Sequence, residues 1–211
     1  SKNSIEDHFD TSFELEAALE KRLKRKMLKE IRTLSKLKVS MQSVRQGEAK
    51  GLGHAILCTK KIIGDEPFGI ILPDMLISND KGNAGDSLKK MKSNFDNYHI
   101  SSILLGKAKK EDISKYGIAQ INKNLKFPGF RLIEKIIEKP SLKTAPSNLY
   151  ATGRYIFENK FFQYLSKTQP DKTNEIQLTD AIQNFIRDDN DVSAFFLEGE
   201  IFDCGDATEY I

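Results

Sequence analysis

The seven residues FGIILPD, 68–74, decide the fold class. Phe68 to Leu72 form a continuous apolar run of strand length, which predicts a strand covered on both faces, and Pro73-Asp74 closes it. Upstream, residues 38–44 (KVSMQSV) alternate with period two, and the glycine-rich stretch that follows opens a helix over residues 54–63. Downstream, Leu88, Met91 and Phe95 have helical spacing, and residues 100–105 (ISSILL) read as another buried strand. Strand, helix, strand, helix, strand is the order of a parallel sheet with right-handed crossovers.

The second half changes character. YGIAQIN (116–122), FRLIEKIIEKP (130–140) and LYATGRYIF (149–157) are expected as strands of a mixed sheet. Leu178, Ala181, Ile182, Phe185 and Ile186 fit a covering helix, and residues 192–203 suggest a hairpin around Gly199. At the other end, Thr11 to Glu14 read as a capping box. Leu15, Leu19, Leu23, Met27, Ile31 and Leu34 then share one face of a helix of about six turns. The fold class is therefore α/β: a Rossmann-like mixed, mainly parallel sheet with flanking helices and an added β-rich portion.

The 211 residues, 39% hydrophobic and 30% charged, suit one compact domain without low-complexity or solenoid repeats. The formal charge of +3 is well short of a strongly basic nucleic-acid binder. Six basic side chains in residues 21–29 read first as a solvated helix face. Cys58 and Cys204 have no metal or disulfide spacing, and no apolar run has signal or membrane-spanning length. The expectation is a cytoplasmic protein with no membrane or nucleic-acid partner.

Asp74 stands where a buried strand runs out, the place where open α/β sheets bind ligands, and Mg²⁺ with substrate phosphates is a common partner for such a carboxylate; a loop cap explains it equally well. Glu138 and Lys139 close a second strand before Pro140. A lysine there suits phosphate and a glutamate suits sugar hydroxyls, provided the strand bends enough to bring both to one side; a surface ion pair is the alternative. Asp203 beside Gly205 is a second metal-ligand candidate that ordinary turn chemistry also accommodates. Gly153 interrupts an apolar run and lets a ligand approach the backbone. His8, His54 and His99 form no HExxH pattern and no GxSxG elbow exists, so zinc and triad chemistry lack support. VRQGEAKGLGHAIL (44–57) fails the P-loop pattern and the dinucleotide pattern, Ile56 standing at the third glycine position. What remains is the Gln46 amide and side-chain-free backbone at Gly51 and Gly53, which suits the edge of a flat base.

Taken together, VRQGEAKGLGHAIL, FGIILPD, KYGI, IEKP, ATGRYI, EIQLTDAI and FDCGD, in this order, closely resemble the bacterial UTP-glucose-1-phosphate uridylyltransferase (UDP-glucose pyrophosphorylase) family of nucleotidyltransferases. IEDHFDTSFELE near the start is similar to that family too, so the likeness spans nearly the whole chain. It implies a sugar-nucleotide transferase fold, reaction of UTP with glucose 1-phosphate to give UDP-glucose and pyrophosphate, and Mg²⁺ as cofactor. Residue by residue it implies Gln46 and Gly51 as uracil readers, Asp74 and Asp203 as the metal pair, Gly117, Glu138 and Gly153 around glucose, and Lys139 on the sugar phosphate. Asp74, Lys139 and Asp203 are the expected catalytic groups, with Asp74 and Asp203 meeting across a common cleft that faces Gln46.

The family's glycine-rich GxGTR-type loop and its later helices are not among residues 1–211. The expectation is a single nucleotidyltransferase domain over 1–211, incomplete at both ends. Residues 1–110 would be its nucleotide-binding half and 111–211 its sugar-binding half, inactive alone and a homo-oligomer when full length. Met75 stands where some relatives have a second Asp. A non-catalytic nucleotide-sugar-binding homologue is the alternative, and a basic-helix nucleic-acid module a third reading.

Overall fold

The computed structural model describes residues 13–22, 24–29, 42–78, 85–122 and 130–204. The chain divides into two compact units, residues 1–45 and 46–211, and each is described by itself. In the first, helix α1 (Phe13–Lys21) ends at Arg22, and helical backbone resumes over 25–29. The Lys24 N–H reaches back five residues to the Leu19 carbonyl at 3.0 Å, a wide turn that breaks the 3.6-residue period. The six-turn helix is thus interrupted within its described part: Leu19 is buried, whereas Met27 is 49% exposed. Thr11, Leu23, Ile31 and Leu34 lie outside the described residues, as do 38–41 of the expected first strand, and residues 42–44 carry no regular element.

The second unit opens with α2 (Gly51–Cys58) and the single turn α3 (Lys60–Ile63), followed by β1 (Phe68–Ile71), β2 (Met75–Ser78), α4 (Asp86–Tyr98) and β3 (Ser101–Lys107). A 3₁₀ turn (Lys110–Lys115) leads to β4 (Gly117–Ile121), β5 (Arg131–Glu138) and β6 (Leu149–Phe157). Then come α5 (Phe161–Lys167), α6 (Leu178–Arg187), β7 (Val192–Phe196) and β8 (Glu200–Asp203). Six strands form one sheet in the order β1-β6-β3-β7-β5-β4, and β2 and β8 form a separate ribbon. The first half of β4 also meets the start of β6, so β3, β6, β4, β5 and β7 are paired in a closed circuit.

The α/β class with a mixed sheet holds, but its ladders differ from the alternating reading. β1, β3, β7 and β4 run in the same direction, yet only β3 and β7 are parallel neighbours; β6 enters between β1 and β3 antiparallel to both. A consecutive strand–helix–strand pattern does not reveal a later strand inserted in the middle. β1 therefore sits at an end of the described sheet order and is covered on one face only: Phe68 and Ile70 are buried while Ile71 is 57% exposed. β3, flanked on both sides, is buried from Ser101 to Gly106 as its apolar run requires.

No hairpin forms around Gly199. Val192, Ser193 and Ala194 are buried against β3, and the Leu197 N–H extends that ladder to the Leu105 carbonyl at 2.9 Å. After Gly199, at φ +130°, β8 pairs instead with β2, in the register Met75↔Asp203. The halves expected about residue 110 share the one main sheet.

The core is aromatic where β6 meets the helices. Phe157 stacks on Phe161 at 3.9 Å between centroids, and Phe185 of α6 presents its edge to Phe161 at 5.4 Å. Leu178, Ala181, Ile182 and Phe185 are the buried face of α6, as the spacing predicts. This helix also serves the sheet, since Gln183 Oε1 accepts the Ile136 N–H of β5 at 2.8 Å. Truncation of Phe161, fully buried, opens a void that these stiff rings cannot close. Phe161→Ala is expected to lower unfolding free energy by about 3–5 kcal/mol, and Phe161→Leu by less, as read from urea midpoints.

Candidate active site

A cavity of about 350 Å³ opens beside the β2–β8 ribbon. Asp74, Gly117, Glu138, Lys139, Gly153 and Asp203 all line it, although they come from five separate segments of the chain. Asp74 occupies the turn between β1 and β2, and its carbonyl accepts the Cys204 N–H at 2.8 Å. With Met75 opposite Asp203, the two acids sit at the same end of one ribbon rather than on facing walls. The Tyr116 hydroxyl donates to Asp203 Oδ2 at 3.0 Å, and its ring is fixed by stacking on Tyr150 at 4.6 Å.

Glu138 and Lys139 share the cavity because the strand bends where they stand. Lys139 has φ +41°, in the left-handed region that a residue before proline rarely adopts. Its N–H is held by the Tyr116 carbonyl at 3.1 Å. Glu138 accepts the Thr179 hydroxyl on Oε2 at 2.6 Å, while Oε1 stands 3.9 Å from the Lys139 ammonium. Gly117 is the register partner of Glu138, and a Cβ there would come within 2.8 Å of Thr179 Oγ1. Gly153 has φ +74°, with Leu72 packed where its side chain would begin, so only glycine fits without strain. Tyr155 forms part of the same wall. Burial, reinforced by the Glu138 charge, raises its hydroxyl pKa far above the ordinary value and keeps it neutral.

Gln46 and Gly51 do not line this cavity; Leu52, the next residue of α2, does. The Gln46 amide nitrogen donates to the Gly51 carbonyl at 3.1 Å and lies 2.9 Å from His54 Nδ1. The carbonyl is an obligate acceptor, so it fixes which end of the amide faces inward, and Nδ1 of His54 must then be the unprotonated ring nitrogen. Both amide hydrogens are used. The amide oxygen is left as the acceptor, in place of the donor–acceptor pair that a free glutamine offers.

Loop 171–177 joins these parts; the sequence reading included Glu175 to Gln177 in the EIQLTDAI stretch but gave no residue of the loop a role. Asp171 Oδ1 accepts the Thr173 N–H, the Thr173 hydroxyl and the Glu175 N–H, and Oδ2 accepts from Gln177. An Asp two residues before a Thr is the legible signal of such an Asx turn. The loop then lies along the glycine-rich segment: the Ile176 N–H donates to the Lys50 carbonyl at 2.8 Å, and the Gly53 N–H to the Ile176 carbonyl at 2.9 Å. Tyr116, Arg154 and Thr179 were also unassigned, since nothing local marks a hydroxyl or guanidinium that acts on a distant segment.

Four carboxylates of the lining (Asp74, Glu138, Glu175, Asp203) outnumber two ammonium groups (Lys115, Lys139). A wall of that sign repels phosphate unless a cation is shared. Among the described residues no group of three or more His, Cys, Asp or Glu side chains could enclose a metal. A pair of carboxylates such as Asp74 and Asp203 fits a divalent cation that takes its remaining ligands from water and substrate oxygens.

A mixed sheet with acidic groups and a lysine at one cavity is the frame of a nucleotide-transferring enzyme, and the chain belongs to the Nucleotidyl transferase family, whose model it matches over residues 10–211. Over its whole length it is 44% identical to the UTP–glucose-1-phosphate uridylyltransferase of Haemophilus ducreyi, covering 72% of that protein, and 42% identical to that of Escherichia coli, covering 70%. Among solved structures it is similar to UDP-glucose pyrophosphorylase complexed with UDP-glucose (TM-score 0.85, 37% identity, all of this chain and 75% of that one). It is likewise similar to the UTP-bound enzyme of Acinetobacter baumannii (TM-score 0.83, 37% identity, 98% and 70%).

Hydrogen bonds from Thr173 and then Gln177 hold the Asp171 carboxyl well below the usual carboxylate range. A depressed folded-state pKa contributes stability that is complete above the unfolded value of about 4 and is lost as pH falls below it. Asp171→Asn is therefore expected to lower the urea midpoint at pH 6, with the gap to the parent narrowing steadily from about pH 4 downward. A gap independent of pH would show that the carboxylate charge is not what the loop uses.

Proposed function

We propose that the protein transfers UMP from UTP to glucose 1-phosphate, giving UDP-glucose and pyrophosphate. The observation that carries the reading is the convergence of Asp74, Asp203, Glu138 and Lys139 on one cavity whose lining is net acidic, in a chain whose relatives carry that name. An oxygen of the sugar phosphate attacks the α-phosphorus of UTP, and pyrophosphate leaves from the opposite side. Only anions react, so the site has to align them and offset their repulsion. No protein nucleophile takes part.

In this reading Asp74 and Asp203 hold Mg²⁺, which when bound neutralises charge on the phosphates. The Tyr116 hydroxyl on Oδ2 holds the Asp203 carboxylate at the cavity wall. Lys139, 60% exposed, places its ammonium on the sugar phosphate. Glu138, with Oε2 turned to Thr179, accepts a glucose hydroxyl on Oε1, and Gly117 and Gly153 allow the ring to come against the backbone. Gln46, its nitrogen held by Gly51 and His54, presents an oxygen that matches the imide N–H of uracil and opposes the bare ring nitrogen of cytosine. A cytoplasmic location and a homo-oligomer at full length accompany this proposal.

In the full-length protein, Asp74→Asn is expected to reduce Mg²⁺-dependent pyrophosphate release by about 10²-fold or more. Calorimetric affinity for UDP-glucose in EDTA should stay near the parent's. Undiminished release would remove Asp74 from the reaction. Gln46→Leu should cut the preference for UTP over CTP by about tenfold to a hundredfold, measured as a ratio of kcat/KM; an unchanged ratio would place base recognition elsewhere.

A further inference from the structure

Leu72-Pro73-Asp74 leaves the main sheet after β1 and enters the ribbon at Met75, and a single side chain from β6 grips both of its ends. Arg154 Nη1 donates to the Leu72 carbonyl at 2.8 Å, and Nη2 donates to the Met75 carbonyl at 2.6 Å. Nη1 also approaches the Gly153 carbonyl at 3.2 Å, which itself accepts the Leu72 N–H at 2.9 Å. The register explains the reach: Arg154 is the partner of Ile71, the last pair before β1 ends. Proline contributes no N–H, so the turn has one fewer backbone donor with which to brace itself.

Alternation along β6 separates this residue from the substrate side. Gly153 and Tyr155 line the cavity, whereas Arg154 does not. Its half-buried guanidinium loses proton affinity through burial and regains part of it from the Asp74 charge, so the acid is electrostatically within range. Two carbonyls three residues apart require two diverging donors on one rigid plane, which arginine has and lysine lacks.

We propose that Arg154 is the positioning residue of the metal pair: by clamping the carbonyls of Leu72 and Met75 it sets where Asp74 stands relative to Asp203. The proposal rests on the reading of Asp74 and Asp203 as ligands of a divalent cation. Asp203 is fixed independently, through Tyr116 and through β8, and the Cys204 N–H secures only the Asp74 carbonyl. Loss of the clamp therefore alters the spacing of the pair while leaving the sugar side, held by Thr179 and β5, in place.

The test uses the full-length protein with Arg154→Lys, Arg154→Gln and Asp74→Asn. Pyrophosphate release is titrated against Mg²⁺, Mn²⁺ and glucose 1-phosphate, and UDP-glucose binding is measured calorimetrically in EDTA. Arg154→Lys should lower kcat and raise the Mg²⁺ concentration for half-maximal rate, each by about tenfold or more. KM for glucose 1-phosphate and the affinity in EDTA should stay within about twofold. Arg154→Gln should do the same more severely, and the double variant with Asp74→Asn should be no slower than Asp74→Asn alone. A parent-like Mg²⁺ requirement and kcat in Arg154→Lys, with Asp74→Asn inactive, would overturn the assignment of Arg154 alone. Equal losses in every parameter, metal-free binding included, would reduce the residue to a structural one. Full activity of Asp74→Asn would overturn the reading of the metal pair, and this proposal with it.

Discussion

The pairing of β2 with β8 is the constraint on which the site depends. Asp74 and Asp203 are far apart in sequence, and nothing in the main sheet would bring them together. A four-residue ladder in the register Met75↔Asp203, closed by the Cys204 N–H on the Asp74 carbonyl, does so. Placing like charges together has a cost that backbone hydrogen bonds alone do not remove. The neighbourhood answers it with neutral or cationic donors, the Tyr116 hydroxyl on one acid and the Arg154 guanidinium beside the other. A two-stranded ribbon by itself is marginal, so its position is borrowed from the sheet through the turn at residues 72–74.

A second local conflict is resolved at the end of β5. An extended strand would send Glu138 and Lys139 to opposite faces, and only one would meet a ligand. The left-handed backbone at Lys139 turns the chain so that both line the cavity, against the preference of a residue that precedes proline. Strain of that kind persists only where surrounding bonds fix it, and the Tyr116 carbonyl on the Lys139 N–H is one such bond. Tyr116 thus serves both pairs, with its backbone on one side and its hydroxyl on the other.

The sequence made some of this legible and hid the rest for identifiable reasons. The end of β1 at Pro73-Asp74, the buried face of α6 and the buried length of β3 follow from periodicity and punctuation, which are local. The direction of a buried strand is not local. β6 and β3 have similar apolar runs, and no pattern within either says that one will lie antiparallel beside the other. The expected hairpin at Gly199 failed likewise, because the competing partner of β7 lay in β3, about ninety residues earlier. At the candidate site, acids beside turns were visible as residue types. Arg154, Thr179 and Tyr116 were not, since each acts on a segment remote in sequence, and only the Asx turn at Asp171 left a short-range signature.

One short stretch of chain joins the glycine-rich segment to the end of β5. Ile176 exchanges backbone bonds with Lys50 and Gly53, and so fixes the segment in which Gly51 and His54 orient the Gln46 amide. Three residues later Thr179, at the start of α6, holds Glu138 by its hydroxyl. Glu175 and Gln177, on either side of Ile176, face the cavity themselves. Thr179 is itself held in place, because Leu178 and Phe185 pin α6 in the core. On the roles proposed for Gln46 and Glu138, the separation between them is set through this stretch of a few residues. A substrate that spanned both would then have discrimination at one end coupled to its placement at the other.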